Sequence, residues 1–266
     1  MSSSPAAPAA PADFLPFAHR LADAAGLVLR RYYRTPVAVE LKADASPVTV
    51  ADREVERVMR EMIRAAYPEH GIEGEEHGRE RMDAELVWCL DPIDGTKSFI
   101  TGRPLFGTLI SLVRAGRPVL GIIDQCVLRE RWVGVEGEPS RWNGAEIRTR
   151  ACPELSQAVL YTTSPDLFRT EAERASFARV VAAVRQPMYG GDCYAYGLLA
   201  MGFADLIVEA QHQTHDYCAL VPVVEGAGGR MTDWRGRPLT TASEGQVIAA
   251  GDERILEQAL KLINVG

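Results

Sequence analysis

Two aspartates, Asp91 and Asp94, lie three residues apart in the stretch LDPIDGTKSF, directly after an apolar run. Pro92 restricts the backbone between them, so both carboxylates can point at one site and the Ile93 carbonyl is free to join them. Carboxylates at the end of a buried strand are costly unless a cation compensates them. Because oxygen ligands favour Mg²⁺ or Mn²⁺ over zinc, the pair indicates a site for a hard divalent cation.

The next two residues, Gly95 and Thr96, suggest a place for an anion. Gly95 has no Cβ to obstruct an approaching group, and the segment from Thr96 could begin a helix whose free N–H groups bind phosphate. Metal-binding carboxylates beside phosphate-binding amides are what metal-assisted hydrolysis of a phosphate ester requires. Asp-Pro and Asp-Gly are also common in turns, so an isolated DxxD motif would be ambiguous.

Further acidic residues lie at the ends of apolar elements. Asp52 follows PVTVA, Glu75 lies within GEE, and Asp216 precedes a helix opening of small residues. Several carboxylates that converge on one site would reinforce the prediction of a divalent cation.

Other charged residues lie close to these candidates along the chain. Glu73 and His77 are expected to be solvated, and Lys97 is expected to be an exposed lysine rather than a phosphate ligand. For Glu76 both interpretations, solvated charge and site residue, stay open.

The strings VTVAD, GEE, DPIDGT and HDYCALVPVVEGAGG follow one another along the chain. In this set and order the chain resembles the inositol monophosphatase family of Mg²⁺-dependent phosphatases, over nearly everything after its first residues. The resemblance implies a layered αβαβα sandwich, a homodimer, and a small-molecule phosphate ester as substrate. It also implies two or three Mg²⁺ ions as the cofactor, with Mn²⁺ as an alternative.

The resemblance implies ligands for the metal ions. Glu75, Asp91 and the Ile93 carbonyl would hold one ion, and Asp91, Asp94 and Asp216 would hold a second, with Asp91 bridging the two.

The resemblance also implies catalytic roles for Glu75, Thr96 and Asp52. The Thr96 hydroxyl, supported by Asp52, would orient the attacking water, whose pKa the cation lowers. The amides of Gly95 and Thr96 would hold the phosphate, and no covalent phosphoenzyme is implied.

Two positions depart from the family pattern. His215 stands before Asp216, where the family usually has Trp or Tyr, and Leu220 is bulkier than the pattern expects. We expect His215 to pack as a substitute for the aromatic residue rather than to act as an acid or base.

Asp192 and Glu209 are the candidates for selecting the substrate, whose alcohol Asp94 and Asp216 would also face. Glu209 lies seven residues before Asp216, which matches the family's substrate-contacting Glu, and Asp192 falls where inositol-directed relatives tend to carry a small residue. Two carboxylates facing a leaving group favour a cationic alcohol over a neutral polyol. The alternative for Asp192 is a helix N-cap after the Gly-Gly pair.

Histidinol phosphate carries such a cationic group, and the strings TGRPLFGTLISL and YGGDCYAYG resemble the histidinol-phosphatase branch of the family. The sequence therefore favours hydrolysis of L-histidinol phosphate in histidine biosynthesis. An inositol-1-monophosphatase or a broad-specificity phosphatase is the alternative. A non-catalytic, metal-dependent binding protein on the same scaffold is a third interpretation.

The composition limits the class of protein. The 266 residues include 29 basic and 36 acidic ones, and the net charge of −7 argues against a general binder of nucleic acid or anionic membranes. No apolar run reaches the roughly 18 residues that cross a bilayer. The five scattered cysteines, without a CxxC spacing, favour a reduced, cytoplasmic protein without structural zinc.

The elements that must position these residues follow from hydrophobic periodicity, after a predicted disordered tail over residues 1–13. We predict an α+β half over 14–150 that carries the metal-binding motifs, and an α/β half over 151–266 that carries the substrate-binding wall. An acidic loop, Gly71–Gly78, is expected between the first two helices and a meander of antiparallel strands. The predicted helices are Phe14–Tyr33, Val50–Tyr67, Leu167–Val184, Ala195–Met201, Tyr217–Ala227 and Arg254–Leu262, and the predicted strands are Leu86–Leu90, Phe106–Val113, Val119–Cys126, Arg131–Val135, Ala158–Thr162, Ala204–Glu209 and Val247–Ala250.

Overall fold

The structure, a computed structural model, describes residues 9–41 and 47–265, apart from the side chain of Leu41. Residues 1–8 of the predicted tail lie outside the described residues. Pro11–Phe14 form a turn of 3-10 helix, and the Phe14 ring packs edge-on against Tyr67 and Trp88. Phe14, the first residue of the predicted α+β half, is already part of the core.

Two helices, α1 (Leu15–Tyr32) and α2 (Val50–Ala66), form the first layer and agree with the predicted helices within one residue. Short strands β1 (Val39–Leu41) and β2 (Pro47–Thr49) pair antiparallel between them. Thr49 begins α2 with a capping box: its hydroxyl accepts from the Ala51 N–H at 3.1 Å, and Asp52 accepts from the Thr49 N–H at 2.7 Å. The cap thus places a predicted site residue in the first turn of α2.

The second layer is an eight-stranded sheet with the order β10-β9-β8-β7-β6-β5-β3-β4. Strands β5 to β8 are the predicted antiparallel meander, and β9 and β10 form a hairpin across Asn143 and Gly144. The strands are β3 (Gly71–Gly74), β4 (Gly78–Glu80), β5 (Leu86–Asp94), β6 (Gly107–Arg114), β7 (Arg117–Gln125), β8 (Glu130–Val135), β9 (Arg141–Trp142) and β10 (Ala145–Glu146).

The prediction of an acidic loop over Gly71–Gly78 is wrong. Residues 71–74 form β3, which is buried and pairs in parallel with β5, and β4 follows after a short turn. The four residues of β3, GIEG, are too few and too rich in glycine to show the alternation of apolar residues that indicates a strand.

Helices of the third layer lie between the two sheets. They are α5 (Asp192–Ala200), α6 (Thr214–Tyr217) and α7 (Leu220–Gly226), while the short α3 (Thr96–Ile100) follows β5. The single predicted helix Tyr217–Ala227 is therefore two helices, of which α6 begins earlier. A Cβ added to Gly121 would overlap the Ala219 carbonyl, and one added to Gly134 would overlap Pro222, so backbone lies directly on backbone here.

A five-stranded sheet and two outer helices complete the sandwich. The sheet order is β12-β11-β13-β15-β14, with β11, β12 and β13 parallel. Strands β12 and β14 were not predicted; both are short, and β12 has no buried residue to mark it. The elements are β11 (Val159–Thr162), α4 (Glu171–Ala183), β12 (Gln186–Tyr189), β13 (Leu206–Glu209), β14 (Arg230–Thr232), β15 (Val247–Ala250) and α8 (Glu253–Ile263).

Three apolar clusters fill the spaces between the five layers. The middle one takes residues from both sheets, including Trp132 and Ile207, so the division near residue 150 stays a prediction about sequence organisation. All five cysteines are buried and free. None of the helices in the described residues is long and apolar enough to cross a membrane.

Candidate active site

The end of β5 carries Asp91 and Asp94 and departs from regular strand pairing. The register with β6 shifts between these two residues, which is a β-bulge. Pro92 has no N–H to give to the ladder, and its carbonyl accepts a hydrogen bond from Thr108 Oγ1 at 2.9 Å. The Ile93 N–H donates to Asp91 Oδ1 at 2.9 Å, which fixes the turn between the two carboxylates.

Three carboxylates come together at this point. One oxygen each of Asp91, Asp94 and Asp216 lies within 4.8 Å of the others. Burial, followed by the charges of Glu75, Asp94 and Asp216, raises the pKa of Asp91 well above its usual range. Burial and the charges of Asp192 and Asp216 do the same to the pKa of Asp94. Asp91 is buried and the other two are half-buried. Three carboxylates that repel one another supply an all-oxygen donor set that fits Mg²⁺ or Mn²⁺, since a cation would relieve the repulsion.

Asp216 reaches the cluster from the short helix α6. Its Oδ2 accepts from the Gln213 N–H at 2.6 Å, and His215 Nε2 lies 3.5 Å from its Oδ1. His215 is partly buried beside this carboxylate, and its role as a substitute for the usual aromatic residue stays a prediction.

Gly95 links the carboxylate cluster to the start of α3. Its φ of +82° lies in the left-handed region that favours glycine. A Cβ at this position would lie 3.0 Å from the Leu105 carbonyl and from the Asp192 carboxylate. The Thr96 hydroxyl donates to the Ile93 carbonyl at 3.0 Å. Gly95, one of the two residues expected to hold phosphate, therefore lies beside Asp192.

Asp52 lies in a buried position in the first turn of α2. Its Oδ2 accepts from both the N–H and the hydroxyl of Thr49, each at 2.7 Å. Burial is the largest effect on its pKa, which rises to about 6 despite these bonds, and the charges of Glu76 and Glu75 contribute. In the described residues the Thr96 hydroxyl bonds a carbonyl instead of Asp52, so the pairing that the resemblance implies is not formed.

A buried ion pair on α2 holds the loop that carries Glu75. Glu56 is fully buried, and Arg60 Nε donates to its Oε1 at 2.7 Å. The same carboxylate accepts from the N–H of Glu76 at 2.6 Å and from that of His77 at 3.0 Å. This pair was not predicted from the sequence, although an acid and a base four residues apart beside an apolar helical stripe could have indicated it.

Asp192 and Glu209 are the two residues predicted to contact the substrate. Glu209 is 1% exposed and accepts from the Thr163 N–H at 2.7 Å and the Thr162 hydroxyl at 3.1 Å. Asp192 Oδ2 accepts from the Ser98 hydroxyl at 3.0 Å. The alternative that Asp192 is a helix N-cap is wrong, because the preceding glycine holds that position and Asp192 is the first residue of α5.

The neighbouring charges divide into two groups. Glu73 is buried, 5% exposed, and pairs with Arg79 Nη2 at 2.6 Å, so the expectation of a solvated charge is wrong. Its place in β3 turns the side chain inward, which the assignment to a loop concealed. His77 and Lys97 are exposed, as predicted.

Glu209 should make folding of the metal-free protein depend on pH. Burial raises its pKa to about 8 from the ordinary 4.5, so above about pH 4.5 the unfolded chain releases a proton that the folded chain keeps. The contribution of protonated Glu209 to the free energy of unfolding is therefore fully present below pH 4.5 and is lost as the pH rises to about 8. We expect Glu209→Gln, which cannot ionise, to be more stable than the parent at pH 8.5 by a few kcal/mol, at about 1.4 kcal/mol per pKa unit.

Thermal unfolding at pH 5 and pH 8.5, in the presence of a chelator, would measure this difference. Glu257→Gln, at an exposed position of α8, is the matched control and should change stability equally at both pH values. An equal effect of Glu209→Gln at both pH values would contradict the prediction.

The chain is similar in sequence to known proteins. Residues 11–264 match the family model described as inositol monophosphatase family. The chain is 51% identical over 257 residues to the bifunctional phosphatase IMPL2, chloroplastic, of Arabidopsis thaliana, with 93% of this chain and 74% of that protein covered. It is 34% identical to the histidinol-phosphatase of Chlorobaculum parvum, with 88% and 91% covered.

Solved structures confirm the layered αβαβα sandwich. The structure of an inositol monophosphatase from Zymomonas mobilis superposes with a TM-score of 0.88 at 51% identity and covers 97% of this chain and 100% of that one.

Proposed function

The chain belongs to the inositol monophosphatase family of metal-dependent phosphatases, and from that premise we propose that it hydrolyses L-histidinol phosphate to L-histidinol and phosphate. We further propose that this reaction serves histidine biosynthesis, that Mg²⁺ is the cofactor, in two or three ions, and that the protein acts as a cytoplasmic homodimer. Mn²⁺ fits the same oxygen ligands.

The metal site in this proposal consists of Glu75, Asp91, the Ile93 carbonyl, Asp94 and Asp216. Bound there, the metal supplies charge that lowers the pKa of a water and neutralises the phosphate. The position of Glu75 beside Asp91 supports this set, since Glu75 contributes both a hydrogen bond and a charge to the raised pKa of Asp91.

The remaining residues of the proposed reaction orient the water and the phosphate. The amides of Gly95 and Thr96 would hold the phosphate at the start of α3. Glu75 and the Thr96 hydroxyl would orient the attacking water, and Asp52 would keep a carboxylate beside them.

The choice of a cationic alcohol rests mainly on Asp192 and Glu209. Glu209 is buried and Asp192 is half-buried, and the charge of Asp192 is one of the causes that raise the pKa of Glu209. A neutral polyol would leave this repulsion in place, whereas an ammonium group between the two would favour their ionised forms and make charge-assisted hydrogen bonds.

The test is the ratio of kcat/KM values for L-histidinol phosphate and inositol 1-phosphate in the presence of Mg²⁺. We expect the parent to prefer the histidinol ester and Asp192→Ala to lose roughly 10- to 100-fold on it, the range for a hydrogen bond to a charged group. The decrease in kcat/KM of Asp192→Ala on inositol 1-phosphate should be much smaller. Asp83→Ala removes an exposed carboxylate and should leave both values unchanged.

An inositol-1-monophosphatase, or a phosphatase that accepts both esters, is the second candidate. The name of the Zymomonas protein and the bifunctional name of the Arabidopsis relative support it. A preference for the inositol ester that persists in Asp192→Ala would overturn the histidinol assignment. Absence of any Mg²⁺-dependent phosphate release would instead favour a non-catalytic binding protein.

A further inference from the structure

Tyr196 buries a hydroxyl group in the middle layer of the sandwich. The residue is 1% exposed, and within the described residues its hydroxyl has no hydrogen-bond partner. Burial of a hydroxyl without a partner is unfavourable and uncommon. We therefore expect a ligand or another group to form a hydrogen bond with the Tyr196 hydroxyl.

The position of Tyr196 connects it to the proposed substrate wall. It lies on α5 four residues after Asp192, about one helical turn further along the chain. The same helix is tied to the metal-binding carboxylates, because the Cys193 N–H donates to Asp94 Oδ2 at 2.6 Å.

The carboxylates of the proposed site act electrostatically on the Tyr196 hydroxyl. Burial is the largest cause that raises the pKa of Tyr196 well above its usual value, and the charges of Glu209, Asp94 and Asp216 follow. The hydroxyl consequently keeps its proton at neutral pH. It can donate that proton to a carboxylate and still accept a hydrogen bond on its oxygen.

We propose that the Tyr196 hydroxyl oxygen accepts one N–H of the substrate's ammonium group and is a specificity-determining contact of this site. An ammonium group on an alkyl carbon has three N–H donors. Asp192 and Glu209 accept two of them, and Tyr196 accepts the third. This inference rests on the proposed function, because it requires a substrate with an amine beside the alcohol.

Tyr194 supplies a matched control on the same helix. Its hydroxyl donates to Glu130 Oε2 at 2.6 Å and is thus already bonded within the protein. Tyr194→Phe and Tyr196→Phe each remove one hydroxyl from α5, but only the second removes a hydroxyl among the site carboxylates.

The experiment combines the two variants with two substrates. L-histidinol phosphate carries the ammonium group, and 3-(imidazol-4-yl)propyl phosphate is the same ester without it. We expect Tyr196→Phe to lower kcat/KM roughly tenfold or more on the first ester, mainly through KM, and no more than about twofold on the second. Tyr194→Phe should change both values equally.

Each other outcome counts against the inference in a distinct way. Equal losses on both esters in Tyr196→Phe, with an unchanged melting temperature, would show a structural role of the hydroxyl. No loss on either ester would show that water alone completes its hydrogen bonding. If the parent enzyme does not prefer the ester with the amine, the proposed function itself fails, and the inference fails with it.

Discussion

Replacement of Asp91 by asparagine is expected to lower Mg²⁺-dependent phosphate release on the order of 10³-fold or more, since a metal ion contributes several kcal/mol to the transition state. Asp91 is 2% exposed and lies within 4.8 Å of the ligand atoms of Asp94 and Asp216. An amide keeps the shape of the side chain but removes the charge on which the proposed bridging role depends.

The same substitution should stabilise the metal-free protein. Burial and neighbouring negative charges raise the pKa of Asp91, so a neutral group removes a repulsion that the fold otherwise contains. Calorimetric titration with Mg²⁺ and thermal unfolding with and without a chelator would measure both effects. Asp83→Asn, at an exposed position, is the control. Full activity of Asp91→Asn, or unchanged Mg²⁺ affinity, would remove Asp91 from the metal site.

Removal of the Glu56 carboxylate should have the largest effect on stability. Glu56→Ala leaves the buried Arg60 guanidinium without its 2.7 Å partner, and breaking a buried pair in this way costs about 3–5 kcal/mol. Arg57→Ala removes a partner of an exposed ion pair on the same helix, Arg57 with Glu61, and should cost no more than about 0.5 kcal/mol. Chemical denaturation would compare the two variants.

A double variant separates stability from catalysis at this position. Replacing both members, Glu56→Leu with Arg60→Met, should recover most of the stability because no unpaired charge is left buried. It should not recover activity, since the N–H groups of Glu76 and His77 still lack the carboxylate that holds the loop of Glu75. Full activity of a stable double variant would show that the loop is positioned by other contacts.

The long elements of the fold could be predicted because their patterns are strong. Helices α1 and α2 and strands β5 to β8 carry enough apolar residues at regular spacing to indicate both type and extent. Strand β3 and the division between α6 and α7 could not be predicted in this way. Four residues show no period, and the distinction between one bent helix and two short ones depends on contacts with the neighbouring sheet.

The residues of the candidate site that belong to sequence motifs could be predicted. The meeting of Asp91, Asp94 and Asp216 agrees with the ligand set implied by the family motifs. The inward orientation of Glu73 was not predictable because it follows from the pairing of β3 with β5. The hydrogen bonds from the N–H groups of Glu76 and His77 to Glu56 were not predictable because they join α2 to a loop distant in sequence. The unbonded hydroxyl of Tyr196 is likewise a property of packing and leaves no local pattern.

Gly121 and Gly134 allow the segment that carries Asp216 to approach the eight-stranded sheet closely. Ala219, which meets Gly121, lies three residues after Asp216, and Pro222, which meets Gly134, lies in the following helix. Peptide groups in direct contact have no alternative rotamers through which the separation could drift. A methyl group at Gly121 or Gly134 would push Ala219 or Pro222 away from the sheet, and Asp216 with them, so the spacing of the three carboxylates depends on these two glycines.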